Sequence, residues 1–269
     1  FFYNLLSELN ERNEAKQITA VQQTNIIVLQ MEAYSDPRLW DTEIKLEPDP
    51  FFPLDKYRSN MHSLKVLTSV LGGSTATTEF EVLTGYNTAH TAQGIIPFVQ
   101  YMNKEKPSLV WDLKKLGYDT VGIHPNMGTF YNRNVAYPNL GFENFIDIKG
   151  FINPKYIGYY VADESLLEVL KETLNGRDKS RPLFCFAVSI QNHGPYNLPG
   201  INREYNVEEG SIPLNEDQIQ ELRNFSANIL DSSLMLADLL EYLQDLDEPY
   251  LVLVYGDHHA NWSWGSQLS

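Results

Sequence analysis

The sequence predicts an α/β fold, a mostly parallel central sheet sandwiched by helices, and three observations carry that prediction. The first is the run Val252-Leu253-Val254-Tyr255-Gly256-Asp257-His258-His259, apolar and β-prone until it stops at a glycine, a carboxylate and two imidazoles. An apolar run of that length between turn signals reads as a strand buried on both faces. The second is Asn25-Ile26-Ile27-Val28-Leu29-Gln30-Met31, a run of the same kind that ends at Glu32. The third is the alternation of strand and helix patterns between them, an order that sets helices on both faces of a parallel sheet.

Residues 1–24 are polar with scattered apolar positions and read as an arm or linker, leaving 25–269 as the principal domain. After the strand at 25–31, residues 36–65 are irregular around the Pro-rich stretch Glu47-Pro48-Asp49-Pro50, and 63–67 is expected to form a short strand. Gly72-Gly73-Ser74-Thr75 then turns into a helical pattern through Leu83. A helix is expected over 107–116, a strand at 120–124, and a helix over 163–174 with Asp163 as its N-cap. Leu183 to Ile190 reads as another buried strand, followed by Gln191-Asn192-His193-Gly194-Pro195. The longest helix spans 216–246, where Ile219, Leu222, Phe225, Ile229, Leu236, Leu240 and Leu243 keep a helical stripe, and it leads into the strand at 250–255.

With 269 residues, 43% of them apolar, the chain supplies a substantial core. A formal charge of -15, from 20 Lys+Arg against 35 Asp+Glu, repels phosphate backbones and argues against a nucleic-acid partner. An anionic substrate therefore needs a locally positive pocket. The single Cys185 lies in an apolar run and reads as a buried structural thiol, so no intrachain disulfide forms. No stretch reaches the roughly 20 apolar residues of a membrane span. A chain that opens on Phe1 rather than Met is expected to be a piece of a longer one.

Four strand ends carry Glu32, His124, His193 and Asp257-His258, where open α/β sheets place their ligands. Carboxylates and imidazoles converging on one rim suit Mn, Mg or Zn; taken singly, each also reads as a strand end meeting solvent. Ser74 and Thr75 stand at a helix start, whose unpaired N–H groups favour a phosphate or a hydroxyl losing its proton. An ordinary helix cap is the competing reading there.

Met31-Glu32-Ala33-Tyr34, Gly73 to Phe80, His124-Pro125-Asn126 with Phe130-Tyr131-Asn132-Arg133, Asn192 to Tyr196, and Tyr255-Gly256-Asp257-His258 follow one another in a set order. In that order and at those strand ends the chain resembles the extracellular catalytic domain of the lipoteichoic acid synthases, within the sulfatase and alkaline-phosphatase-like superfamily. The resemblance covers 24–262 and implies a sulfatase-like fold lacking its C-terminal part. It also implies a phosphoglycerol transferase on the outer face of a bacterial membrane, held by segments absent from this chain or released. Phosphatidylglycerol would be the donor, and a glycolipid or teichoic acid the acceptor. By the same resemblance Thr75 is the nucleophile, and Glu32, Thr75, Asp257 and His258 hold one divalent ion, Mn2+ first and Mg2+ or Zn2+ as alternatives. His124, Arg133 and His193 would hold glycerol phosphate, with Asn126 and Tyr131 standing where the family more often has an acid and a tryptophan.

The residues support this chemistry independently. A threonine hydroxyl is a poor nucleophile until a cation lowers its pKa. Arg133 offers a bidentate fork for phosphoryl oxygens, and His193 or His124 offers a general acid and base. His259 is expected on the opposite face from His258, because strand side chains alternate. Cys185 is followed by Phe-Ala-Val, and no Cys or Ser begins the x-Pro-x-Arg motif that resembles type I sulfatases. A hydrolase with water as acceptor, and a catalytically idle binder of glycerophosphate polymers, are the remaining alternatives.

Overall fold

The computed structural model describes residues 24–263 apart from 90, 93, 199 and 209. The arm expected over 1–24 lies outside the described residues but for Thr24. Nine strands are described: β1 (Asn25–Met31), β2 (Lys45–Glu47), β3 (Asp119–Ile123), β4 (Asn144–Ile146), β5 (Tyr156–Ile157), β6 (Tyr160–Val161), β7 (Leu183–Val188), β8 (Asn206–Glu208) and β9 (Tyr250–Gly256). The α-helices are α1 (Thr75–Thr84), α2 (Pro97–Gln100), α3 (Leu109–Lys115), α4 (Arg133–Leu140), α5 (Asp163–Gly176) and α6 (Glu216–Asp245).

Five strands make one sheet in the order β4-β3-β7-β1-β9, every pair parallel. Side chains of β1 alternate between its faces, as the pleat requires. Ile27, Leu29 and Met31 pack with Leu166, Leu170 and Leu174 of α5 and Leu236, Leu239 and Leu243 of α6. Ile26 and Val28 pack on the other side with Phe80 and Leu83 of α1, Val110 of α3 and Tyr137 of α4. Burying each such side chain stabilises the fold by about 1.5–3 kcal/mol, which is why these short strands hold their order. Close layering also explains one glycine: a Cβ on Gly122 of β3 would lie 2.5 Å from the Tyr137 ring.

Three expectations are corrected. Residues 63–67 form no strand; Leu64 and Leu67 are exposed, and no sheet edge accepts the segment's backbone groups. The β9 run is half-buried rather than covered on both faces, because among the described residues only β1 pairs with it. Asp163 does not cap α5: Ala162 occupies the N-cap, and Asp163 is the first helical residue.

Asp163 is instead buried, accepting the Ser232 hydroxyl at 2.6 Å, while its Oδ1 has no partner. Burial pushes its carboxyl up to about 7. A folded-state pKa above the unfolded value contributes stability at low pH that is lost as pH rises through about 7. Asp163→Asn, which cannot ionise, is therefore expected to gain in Tm relative to the wild type between pH 5 and pH 8.5. A Tm difference that stays flat over that range in thermal scans overturns the assignment.

Candidate active site

An all-parallel sheet aims every strand's carboxyl end at one edge, and adjacent β1 and β9 end in register at Met31 and Gly256. Glu32 and Asp257 are thereby neighbours. Gly256 is required by the crossing backbone, since a Cβ there would lie 2.3 Å from the Tyr34 carbonyl oxygen. Asp257 then turns inward: its Oδ1 accepts the N–H of Ala33 at 2.8 Å and of His258 at 2.9 Å. Its Oδ2 is buried with no well-formed hydrogen bond, and the His258 Nε2 stands 3.2 Å away.

His258 points its Nδ1 at the His259 carbonyl, 2.9 Å off, so that nitrogen donates and Nε2 faces the carboxylates, 3.3 Å from Glu32 Oε1. Glu32 is fixed by its backbone, whose N–H donates to Ser189 Oγ at 2.8 Å. The three ligand atoms of Glu32, Asp257 and His258 lie within 4.8 Å of one another and all three residues are buried. Burial and the charge of Glu32 push Asp257 up to about 8. Burial would hold the His258 imidazole down, but its bond to Glu32 and the charge of Asp257 outweigh this and carry it up to about 9. Two buried carboxylates this close repel one another, and a divalent cation is the charge that relieves them. The buried Asp257 Oδ2, which no hydrogen bond satisfies, and the oxygen–nitrogen donor set fit such an ion.

Thr75 is the first residue of α1, reached through Gly72, Gly73 and a left-handed Ser74 at φ 66°. Ser74 makes no side-chain cap, so the capping reading fails for it. Thr75 Oγ1 lies 3.4 Å from Glu32 Oε2. Thr78 Oγ1 is committed to the Asp257 carbonyl at 2.8 Å, which fastens the first turn of α1 to the end of β9. A non-glycine residue at positive φ costs of order 1–3 kcal/mol, a strain that clusters at functional sites.

Around this cluster, His124 is buried; its Nδ1 donates to the Val188 carbonyl at 3.1 Å and its Nε2 is left without a partner. Burial, then the charge of Arg133, holds the His124 pKa well below the usual value, so the ring is neutral. His193 is half-buried, with Nδ1 against the Gly194 carbonyl at 2.6 Å and the Tyr160 ring 4.8 Å away. Tyr131 sits at φ 54°, half-buried, within the field of Arg133, Glu32 and Asp257. Asn126 uses its Oδ1 to accept the Met127 N–H at 2.7 Å. His259 stands apart from the donor cluster, its ring 5.0 Å from that of Trp40.

Arg133 departs from expectation. It is fully buried, and the fork anticipated for phosphate is taken by Glu79, with Nε 3.2 and 3.1 Å from the two carboxylate oxygens. Tyr137 donates its hydroxyl to the same carboxylate at 2.7 Å. Sequence reasoning assigned Glu79 no role. Its signal was legible nonetheless, as a carboxylate on the core-facing side of a helix between Ala76 and Leu83 that could not be buried unpaired.

A protein-family model described as Sulfatase matches residues 24–263. The chain is similar to a Rhizobium meliloti protein named for cyclic beta-1,2-glucan modification, at 31% identity over 87% of this chain and 35% of that protein. Among solved structures it is similar to the lipoteichoic acid synthase LtaP from Listeria monocytogenes, with a TM-score of 0.70 and 26% identity over 88% of this chain and 57% of that one. It shares its fold with the Streptococcus pyogenes phosphoglycerol transferase GacH, solved in complex with sn-glycerol-1-phosphate, at a TM-score of 0.79 and 20% identity over 97% of this chain and 68% of that one. The chain thus spans about a third of the curated relative's length and just over half of the Listeria enzyme's.

Proposed function

Because the chain belongs to the sulfatase family, we propose that it is a metal-dependent phosphoglycerol transferase. It would move glycerol phosphate from phosphatidylglycerol to a cell-envelope glycolipid or polyglycerophosphate through a phospho-threonine intermediate on Thr75. The observation that carries this reading is the Thr75 hydroxyl at a helix start, 3.4 Å from Glu32 and beside the buried Asp257 and His258. A divalent cation held by Glu32, Thr75, Asp257 and His258 would lower the pKa of the threonine hydroxyl and screen the phosphoryl oxygens.

Thr75 gives up its hydroxyl proton and its Oγ1 forms a bond to phosphorus as the bond to the diacylglycerol oxygen breaks, and that oxygen takes up a proton. An acceptor hydroxyl then gives up a proton and attacks the same phosphorus, and Thr75 Oγ1 regains a proton as its bond to phosphorus breaks. His193 is the better placed of the two histidines to carry those protons, because it reaches solvent and its Nδ1 is already bonded, leaving Nε2 for the exchange. The neutral His124 supports a binding role, its unpartnered Nε2 accepting a glycerol hydroxyl. No helix among the described residues is long and apolar enough to cross a membrane. The proposed location is the outer face of a bacterial membrane, with the domain either anchored there or released.

Intact mass spectrometry after incubation with phosphatidylglycerol and Mn2+ tests the reading: one glycerophosphate is expected, mapping to Thr75. A second reading, favoured by the 31% identity to a glucan-modification protein, keeps donor and nucleophile and makes a glucan the acceptor. Offering the labelled protein each acceptor in turn separates the two, and discharge by buffer alone points to hydrolysis. The cation is tested apart from turnover. Saturating Mn2+ should raise Tm by several degrees, since a ligand at 100 times its Kd adds about 2.7 kcal/mol. Asp257→Ala should abolish the shift and His259→Ala should leave it, whereas loss of the shift in His259→Ala would redraw the ligand set.

A further inference from the structure

Ile26, Val28 and Gln30 share one face of β1, and the first two pack on the layer that contains α1. The third is an amide, fully buried in a place where an apolar side chain of the same volume would serve the core. Gln30 donates from Nε2 to the Thr75 carbonyl at 3.1 Å, and its Oε1 accepts the Tyr255 hydroxyl at 2.8 Å. Tyr255 is the register partner of Gln30 on β9 and is itself buried. The Thr75 carbonyl can only accept, so it takes the amide N–H end of the carboxamide, and the Tyr255 phenol, donating to Oε1, holds the side chain in that orientation.

We propose that Gln30 is a positioning residue for the nucleophile, its carboxamide locked by Tyr255 so that it pins the Thr75 backbone and fixes the aim of Thr75 Oγ1. The inference rests on the reading of Thr75 as nucleophile. The residue before Thr75 is in a left-handed conformation after two glycines, so the chain entering α1 has wide freedom. The pin on the Thr75 carbonyl and the Thr78 bond to the Asp257 carbonyl hold the first turn to β1 and β9, the two strands whose ends carry Glu32, Asp257 and His258. Small misplacements of reacting groups cost up to about a hundredfold in rate.

The test is single-turnover labelling of Thr75 by phosphatidylglycerol with Mn2+, followed by intact mass spectrometry in the wild type, Gln30→Met, Tyr255→Phe and the double variant. Gln30→Met is expected to lower the saturating labelling rate about tenfold or more. The half-saturating donor concentration and the Mn2+-induced Tm shift should not move. Tyr255→Phe, which frees the amide to turn over, should give a smaller loss, and the double variant should be no slower than Gln30→Met. Wild-type labelling with an unchanged rate in Gln30→Met overturns the inference alone. A rate loss accompanied by a lost Mn2+ shift or weakened donor saturation assigns Gln30 a general structural role and overturns it too. Absence of a wild-type adduct, or an adduct that persists in Thr75→Ala, overturns the nucleophile reading and this role with it.

Discussion

Thr75→Ala is expected to fold as the wild type does and to lose turnover by at least about 10^4-fold, the scale at which removal of a nucleophile acts. The small structural effect follows from what the side chain touches. Its hydroxyl reaches only the metal-site carboxylates, 3.4 Å to Glu32 and within reach of Asp257, and the helix is anchored by other groups: the Thr75 carbonyl on Gln30 and Thr78 on Asp257. Loss of a methyl and a hydroxyl from a buried position should cost about 1 kcal/mol, a Tm change of a few degrees for a domain of this size. Thr75→Ser, which keeps an oxygen, should retain part of the activity. Thr78 is an implausible substitute because its hydroxyl is already donated to Asp257, so activity above a tenth of wild type in Thr75→Ala would point to Ser74, whose side chain caps nothing. Donor-dependent turnover and circular dichroism on the same preparations read both halves of the prediction.

The sheet was legible because parallel strands buried between helices announce themselves as uninterrupted apolar runs, and β1 and β7 are such runs. The same reasoning misjudged β9, whose composition matches theirs but whose outer flank has no partner among the described residues, since an apolar run does not encode its place in the strand order. Glu32, Asp257 and His258 were readable for a related reason: polar residues that end buried strands must sit at the sheet's carboxyl edge. Helix caps resolved less well. Asp163 has the right chemistry for an N-cap, yet the chain enters α5 one residue earlier and the carboxyl is carried inward to Ser232. The supporting residues were invisible singly. Gln30, Tyr255 and Tyr137 acquire meaning only from distances between segments far apart in sequence, and a lone Gln in a strand or Tyr in a helix gives no hint of its partner.

Arg133→Ala is expected to destabilise the fold by about 3–5 kcal/mol, because it leaves the Glu79 carboxylate buried without its counter-charge. Both residues have no exposed side-chain surface. The pair joins α1 to the start of α4, and the left-handed Tyr131 and Asn132 lead directly into it. Among the described residues Tyr137 is the only other side-chain hydrogen-bond donor to Glu79, so one phenol is left to offset the buried charge. Arg133→Lys keeps the charge and loses the planar fork, so it should fall between Arg133→Ala and wild type. Glu79→Leu combined with Arg133→Met removes both charges and should be more stable than Arg133→Ala, since a buried pair replaced by apolar residues often costs little, whereas a broken pair costs its full desolvation. Urea unfolding of the four proteins measures this. If Arg133→Ala lost under about 1 kcal/mol while labelling of Thr75 collapsed, the guanidinium would be acting on the donor phosphate rather than on Glu79. If the double variant were the least stable of all, the pair would be contributing more than the removal of an uncompensated charge explains, and the account of Glu79 as a buried anion held in place by Arg133 would have to be replaced by one in which both side chains shape the packing of α1 against α4.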